Sequence, residues 1–228
     1  MGCSWGVPNY SKLKGDPPET HTEFLLRKLG HNVYNCSENG GSNLSTLYRA
    51  AKFLNGGYTV NAGGHDFGQM ENVPNLKIDL VLWFHTDPGR DIDMISTTDK
   101  SISQQLEEIC LLTYKNYSLF FEQLKCKIAI VGACADVHPT IKNHIPTDFL
   151  LCSWQQELLG ISTSFFRIET GLKVPSEEDI MLTENAIKVF DAMNQNKLMF
   201  PDGGHPGALA HRGLLRSLGE QLANITAV

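Results

Sequence analysis

The sequence lacks several features that would point to other classes of protein. Its six cysteines are scattered singly and none forms a C-x-x-C pair, which argues against a zinc ribbon. No apolar run is long enough to cross a bilayer, and the amino terminus has no basic stretch followed by an apolar one, so we expect neither a membrane span nor a signal peptide. With a net charge of −6 and no basic stripe, we expect no general binding to nucleic acid.

The composition that remains suits one globular domain in a reducing compartment. A chain of 228 residues with 42% hydrophobic residues can bury a core, and no internal repeat divides it, so we predict a single domain over 1–228. Cysteines placed inside apolar runs predict buried, reduced thiols, which favours the cytoplasm. The sequence does not determine the oligomeric state.

Short apolar runs alternate along the chain with amphipathic stretches. The runs predict strands over 31–37, 78–84, 127–131 and 149–152. Apolar residues at helical spacing predict a helix over 20–29, with a capping box at Thr20-His21-Thr22-Glu23 and a stop at Gly30, and further helices over 44–54, 102–124, 176–193 and 209–222. Strands that alternate with helices predict an α/β fold with a mostly parallel, doubly wound sheet covered on both faces. The Gly- and Asn-rich segment 56–75 is predicted to be a long loop.

The first chemical signal lies at the start of the chain. Gly2-Cys3-Ser4-Trp5-Gly6 matches the pattern G-x-S-x-G, in which small residues flank a serine on a tight turn and leave its hydroxyl exposed beside backbone N–H groups. An ordinary turn has the same composition. Ser4 lies too near the amino terminus for the α/β-hydrolase fold, where the serine follows several strands.

The second signal lies in a loop before the last predicted helix. Asp202 and His205 are three residues apart in Phe200-Pro201-Asp202-Gly203-Gly204-His205-Pro206-Gly207, so a turn can bring the carboxylate to the imidazole Nδ1. That contact would fix the histidine tautomer and leave Nε2 free to accept a proton from a hydroxyl. A turn with a capping aspartate and an exposed histidine is the simpler interpretation of this loop by itself.

Together the two signals resemble the SGNH (GDSL-like) hydrolase family over nearly the whole chain. Asp202-Gly203-Gly204-His205-Pro206 is similar to the terminal D-x-x-H-P block of that family, and Gly2-Cys3-Ser4 occupies its first block. Asn39-Gly40-Gly41-Ser42-Asn43 occupies the second block. The cysteine before Ser4 is typical of a divergent branch that is common in phage and bacterial genomes, whereas better-known members have aspartate there.

The resemblance implies a flavodoxin-like three-layer α/β/α sandwich and ester hydrolysis without a cofactor or metal. Ser4 would be the nucleophile, His205 the general base and Asp202 its orienting acid. The backbone N–H groups of Ser4 and Gly41 would hold the oxyanion. We expect a small-molecule or carbohydrate ester as the substrate, and neither nucleic acid nor a membrane as a partner.

The chain departs from the family pattern in two places. The third block should contain Gly-x-Asn after the strand over 78–84, but the sequence there is Trp83-Phe84-His85-Thr86-Asp87. Thr86, His85 or Asn43 are the alternatives for the missing oxyanion donor. Only three residues precede Ser4, too few for the family's first strand, so we expect either an upstream start or a sheet with one strand fewer.

Three other interpretations compete with the serine hydrolase. His85, Asp87, His138 and His144 fall at or after strand ends where metal ligands can converge, although their spacing fits no tight motif. Cys3 or Cys134 is a second candidate nucleophile. The main alternative is a catalytically inactive SGNH-like fold that acts as a carbohydrate-binding or structural module.

Overall fold

The chain folds into helices and a small parallel sheet, as expected for an α/β protein. The computed structural model describes residues 22–37, 41–55, 76–86, 88–94, 100, 102–132, 137, 139–145, 149–153, 191–192, 194–195 and 207–226. Within these residues the elements are, in chain order, α1 (Thr22–Lys28), α2 (Asn43–Leu54), β1 (Leu80–His85), a 3₁₀ helix (Pro88–Met94), α3 (Ile102–Leu124), β2 (Lys127–Gly132), a second 3₁₀ helix (Pro139–Asn143), β3 (Phe149–Ser153) and α4 (Ala208–Thr226).

Three strands among the described residues form one parallel sheet in the order β1–β2–β3. Strands β1 and β2 pair in unbroken register from Leu80 opposite Lys127 to His85 opposite Gly132. Between β2 and β3 the register shifts at Val131 and Gly132. The three predicted strands over 78–84, 127–131 and 149–152 are therefore confirmed to within two residues. Helix α3 forms the crossover from β1 to β2 that parallel pairing requires.

The strand predicted over 31–37 is wrong, because this segment has no regular secondary structure. Side chains satisfy part of its backbone instead: the Ser37 N–H donates to Asn35 Oδ1 at 2.9 Å, and Arg27 donates to the Val33 carbonyl. The segment still reaches the core, since Cys36 is buried and the Tyr34 ring lies 5.4 Å from that of Phe53. The apolar residues of this segment therefore indicate burial and not a strand.

Two helices end in residues with left-handed backbone. Gly30 follows α1 with a φ of 90°, which confirms the glycine stop predicted there. Lys125 follows α3 with a φ of 50°, although it carries a side chain. A left-handed conformation costs a residue with a Cβ roughly 1 kcal/mol that glycine does not lose.

The core is built where α3 covers β1. Trp83 and His85 are two residues apart on β1, so their side chains lie on the same face of the strand. The Trp83 ring stacks on Tyr117 of α3, with centroids 3.7 Å apart and planes 8° apart, and Phe121 packs at its edge. Trp83 and Tyr117 are completely buried. Cys36 and Cys110 are buried and form no disulfide, as predicted for cysteines within apolar runs.

Other predictions meet the structure only in part. The helices predicted over 44–54, 102–124 and 209–222 are confirmed by α2, α3 and α4. The helix predicted over 20–29 is confirmed by α1 from Thr22 onward, and residues 20 and 21 lie outside the described residues. The loop over 56–75 and nearly all of the helix over 176–193 lie outside the described residues. No helix in the described ranges combines the length and apolarity that a bilayer crossing demands.

Candidate functional site

The end of β1 and the start of α2 meet at a pair of hydrogen bonds between Asn43 and Thr86. The Asn43 side chain is buried, its Nδ2 donates to the Thr86 carbonyl at 3.0 Å, and its Oδ1 accepts from the Thr86 N–H at 3.0 Å. One amide side chain thus satisfies both backbone groups of the residue that follows the strand. These bonds join Asn43, in the segment predicted to be the second block, to Thr86, in the segment where the third block is expected.

The 3₁₀ helix over Pro88–Met94 adds two further contacts to the same segment. Arg90 Nη1 donates to the Gly41 carbonyl at 3.2 Å, and Asp91 Oδ2 accepts from the Leu44 N–H at 3.4 Å. We call Gly41–Leu44 together with Thr86, Arg90 and Asp91 the polar junction. Its two halves are 42 to 50 positions apart in sequence, so it forms only when β1 is placed beside α2.

Helix α2 begins at the junction with its own cap. Ser42 is the N-cap residue, and its Oγ accepts from the Ser45 N–H at 3.1 Å while the Ser42 N–H donates to Ser45 Oγ at 3.0 Å. This is a reciprocal capping box with serine where glutamate or glutamine is more usual. The sequence signal is Ser42-x-x-Ser45, in which serine replaces the usual glutamate or glutamine at the third helical position.

Tyr117 connects the polar junction to the core. Its hydroxyl donates to the Asn43 carbonyl at 2.8 Å, while the Asn43 side chain contacts Thr86. Burial raises the pKa of Tyr117 well above its ordinary value, and the charges of Asp91 and Cys36 raise it further. The hydroxyl therefore stays protonated and remains a donor at neutral pH.

Asp91 is the acidic group of the junction. It is 1% exposed, and burial raises its pKa above the ordinary value of 3.8. The Ser42 hydroxyl, the backbone of Leu44 and Asn43, and the charge of Arg90 oppose that shift without cancelling it. Asp91 Oδ1 has no hydrogen-bond partner among the described residues.

Of the predicted oxyanion donors, three lie in the polar junction. Gly41 is buried at its edge, and Asn43 uses one of its two Nδ2 hydrogens on Thr86, which leaves the second available. The Thr86 N–H is occupied by Asn43, but the buried Thr86 hydroxyl has no partner within the described part of the chain. Thr86 can therefore act as a donor through Oγ1 and not through its backbone.

The predicted triad residues Ser4, Asp202 and His205 lie outside the described residues, as does Gly40. Their mutual distances remain predictions. What the structure gives is the element that follows the Asp202–His205 loop: Gly207 is buried, and α4 begins directly after it at Ala208. On α4, buried His211 Nδ1 lies 2.9 Å from the Thr22 hydroxyl of α1.

Of the alternative metal set, His85 and His144 lie in the part of the chain that the structure describes. His85 is buried at the end of β1 with its Nε2 3.4 Å from the Tyr114 hydroxyl, while His144 is half-buried after the second 3₁₀ helix. Within the described ranges, no three His, Cys, Asp or Glu side chains cluster closely enough to hold a metal ion. Asp87 and His138 lie outside those ranges, as do the alternative nucleophiles Cys3 and Cys134.

Sequence reasoning missed Asp91, Tyr117 and the role of Arg90. Arg90 and Asp91 belong to no motif of the sequence. Their signal is positional, because a charged pair in the segment that follows a buried strand lies where parallel α/β folds place their sites.

In comparisons with known proteins, no family profile, curated protein or solved structure matches this chain.

Proposed function

We propose that the chain is a serine-dependent ester hydrolase that works through an acyl-enzyme. Ser4 attacks the ester carbonyl while His205 accepts its proton, and Asp202 orients His205 and stabilises its cation. His205 then protonates the leaving alcohol, and water releases the acyl group with the roles reversed. The expected substrates are small-molecule or carbohydrate esters. No cofactor or metal takes part in these steps.

The observation that supports this function best is the pairing of Asn43 with the backbone of Thr86. An acyl-transfer site needs donors that are fixed before the charge develops, and each is worth roughly 3 kcal/mol of barrier. The polar junction holds Gly41, Asn43 and the Thr86 hydroxyl in a buried, hydrogen-bonded frame at the carboxyl end of a parallel strand. That is the edge of an open α/β sheet where ligands bind.

The sheet order and the free thiols support the finer parts of the proposal. A parallel β1–β2–β3 sheet with α3 as crossover is compatible with the three-layer α/β/α sandwich that we propose for the whole chain. Three cysteines form no disulfide, which suits a reducing compartment, so we propose a cytoplasmic location; they are Cys36, Cys110 and Cys126.

Labelling with a fluorophosphonate probe tests the nucleophile and the base together. We expect the probe to modify Ser4, identified by peptide mass spectrometry, and both Ser4→Ala and His205→Ala to abolish the labelling. Ser118→Ala and His31→Ala are matched controls, because Ser118 lies on α3 beside Glu122 and His31 is exposed after α1. Labelling that persists in Ser4→Ala would contradict the mechanism.

Hydrolysis of a short-chain nitrophenyl ester tests turnover. We expect Ser4→Ala to lower kcat by roughly a thousandfold or more, as removal of a triad nucleophile does elsewhere. A wild-type protein that neither reacts with the probe nor hydrolyses the ester would instead favour the inactive, carbohydrate-binding module. Binding of immobilised polysaccharides by that same protein is then the discriminating measurement.

A further inference from the structure

Asp91 approaches helix α2 from outside the helix. It belongs to the 3₁₀ helix after β1, and its carboxylate lies at the first turn of α2, where Oδ2 accepts from the Leu44 N–H at 3.4 Å. The Ser42 hydroxyl and the Asn43 backbone lie close enough to lower its pKa. The negative charge is favourably placed, since the positive end of the helix dipole faces it.

The capping box satisfies only part of the start of α2. Ser42 Oγ accepts from the Ser45 N–H and Ser45 Oγ accepts from the Ser42 N–H, which leaves the Leu44 N–H to Asp91. Burying a carboxylate with one oxygen unpartnered among the described residues costs stability that a neutral residue would not cost. A cap that is completed from another element, at a cost in burial, requires an explanation.

The explanation lies in what Asp91 connects. Through Leu44 it fixes the start of α2 to the segment that follows β1, while neighbouring Arg90 fixes the Gly41 carbonyl from the same 3₁₀ helix. The residues between these two contacts are Ser42 and Asn43. Displacing the 3₁₀ helix would therefore move Gly41 and Asn43, two of the proposed oxyanion donors, relative to Thr86.

We propose that Asp91 is a positioning residue. It holds the segment Gly41–Leu44, which carries oxyanion donors, in a fixed position relative to Thr86. This inference rests on the proposed ester hydrolysis and adds a residue to it. Asp91 itself does not touch the substrate; it acts through the backbone of α2. Preorganised donors lose their advantage when they shift by about 1 Å, and such shifts can reduce rates up to a hundredfold.

The test compares Asp91→Ala and Asp91→Asn with the control Asp79→Ala, whose carboxyl is 84% exposed and pairs with Lys77 on the surface. Asp91→Ala removes the acceptor for the Leu44 N–H, so we expect kcat for a nitrophenyl ester to fall about tenfold to a hundredfold. We expect KM to stay within about twofold, because ground-state binding is not what these donors supply. Asp91→Asn keeps an acceptor oxygen at the same place, so we expect it to recover most of kcat.

The measurements are made at a temperature where circular dichroism shows each variant to be folded, and amide hydrogen exchange over 41–46 is recorded in parallel. We expect faster exchange in Asp91→Ala and near-wild-type exchange in Asp91→Asn and Asp79→Ala. If Asp91→Ala does not fold, Asp91→Ser takes its place, because its hydroxyl is too short to reach Leu44. A kcat for Asp91→Ala or Asp91→Ser equal to that of Asp79→Ala overturns the inference.

The outcomes separate this inference from the proposed function. A wild-type protein that is labelled at Ser4, with kcat unaffected by any Asp91 substitution, overturns only the positioning role. Equal losses of kcat in Asp91→Ala and Asp91→Asn overturn the acceptor argument, since both would then act through charge. A wild-type protein without labelling or turnover overturns the proposed function, and the inference with it.

Discussion

The aromatic core and the polar junction are both buried, yet they are stabilised in different ways. Around Trp83 the contacts are apolar and redundant, because Tyr117, Phe121 and their neighbours surround one ring without directional bonds. At the junction each contact consists of one or two directional hydrogen bonds between two residues. The comparison teaches that burial alone does not identify a role. The aromatic core stabilises the fold, whereas the polar junction holds polar atoms in fixed positions.

The largest expected effect is in the aromatic core. Trp83→Ala removes a fully buried ring and its stacked partner contact, so we expect the free energy of unfolding to fall by about 3–5 kcal/mol. Urea denaturation followed by circular dichroism measures the change. Leu119→Ala on α3 is the control, because Leu119 is 62% exposed. A loss in Leu119→Ala as large as that in Trp83→Ala would contradict this account of the core.

The second effect tests the junction. Asn43→Ala leaves the buried N–H and carbonyl of Thr86 without their partner, and we expect a loss of about 2–4 kcal/mol, near 1–2 for each group. Asn116→Ala removes a comparable amide that donates to the Leu112 carbonyl at the surface of α3, and we expect it to cost under about 1 kcal/mol. Equal losses in the two variants would remove the distinction between junction and surface.

The third effect separates the two regions within one residue. Tyr117→Phe keeps the ring that stacks on Trp83 and deletes the hydroxyl that donates to Asn43, so we expect a loss of about 0.5–1.5 kcal/mol. Thermal unfolding compared with Tyr48→Phe, where the ring is 59% exposed, provides the measurement. Unchanged stability in Tyr117→Phe would mean that the bond to Asn43 contributes nothing.

The smallest effect is a pH dependence at Asp91. Below its ordinary value of 3.8 the carboxyl is protonated in both states and contributes nothing. As pH rises, the unfolded chain loses this proton first because burial raises the pKa in the folded protein. The folded state then binds more protons, so wild-type unfolding free energy should fall relative to Asp91→Asn until pH passes the raised pKa, and stay constant above it.

Urea titrations of the two proteins across this acidic range measure that difference, with Asp79→Asn as the control for removing an exposed carboxyl. A wild-type stability that rises with pH relative to Asp91→Asn would reverse the sign and show that the hydrogen bonds to Asp91 outweigh its burial. The positioning role would then come without a cost in stability.

Most of the sheet could be predicted because buried parallel strands are continuous apolar runs. Leu80–His85, Lys127–Gly132 and Phe149–Ser153 each contain such a run, and their ends differ from the prediction by at most two residues. The strand prediction over 31–37 failed because this segment is buried without pairing in the sheet. Tyr34 packs on Phe53 of α2, and Cys36 lies in the core. Apolar content reports burial, and only length and continuity report a strand.

The polar junction could be predicted only in outline. Gly41, Asn43 and Thr86 were candidates because a family pattern pointed to those positions, and the structure brings them together. The contacts of Asp91 and Tyr117 depend on partners 47 and 74 residues away, which no local pattern encodes. The apolar spacing over 102–124 predicts the helix that carries Tyr117 but gives no sign that its hydroxyl bonds to the junction.

The bond between Thr22 and His211 has a consequence for how the chain is made. These residues are 189 positions apart, and their side chains meet where α1 packs on α4. During synthesis, α1 leaves the ribosome long before its partner exists, so this pairing must wait for nearly the whole chain, whereas β1, α3 and β2 can associate as neighbours. Contacts of such high sequence separation slow folding, which makes docking of α4 on α1 a late event in assembly of the native protein.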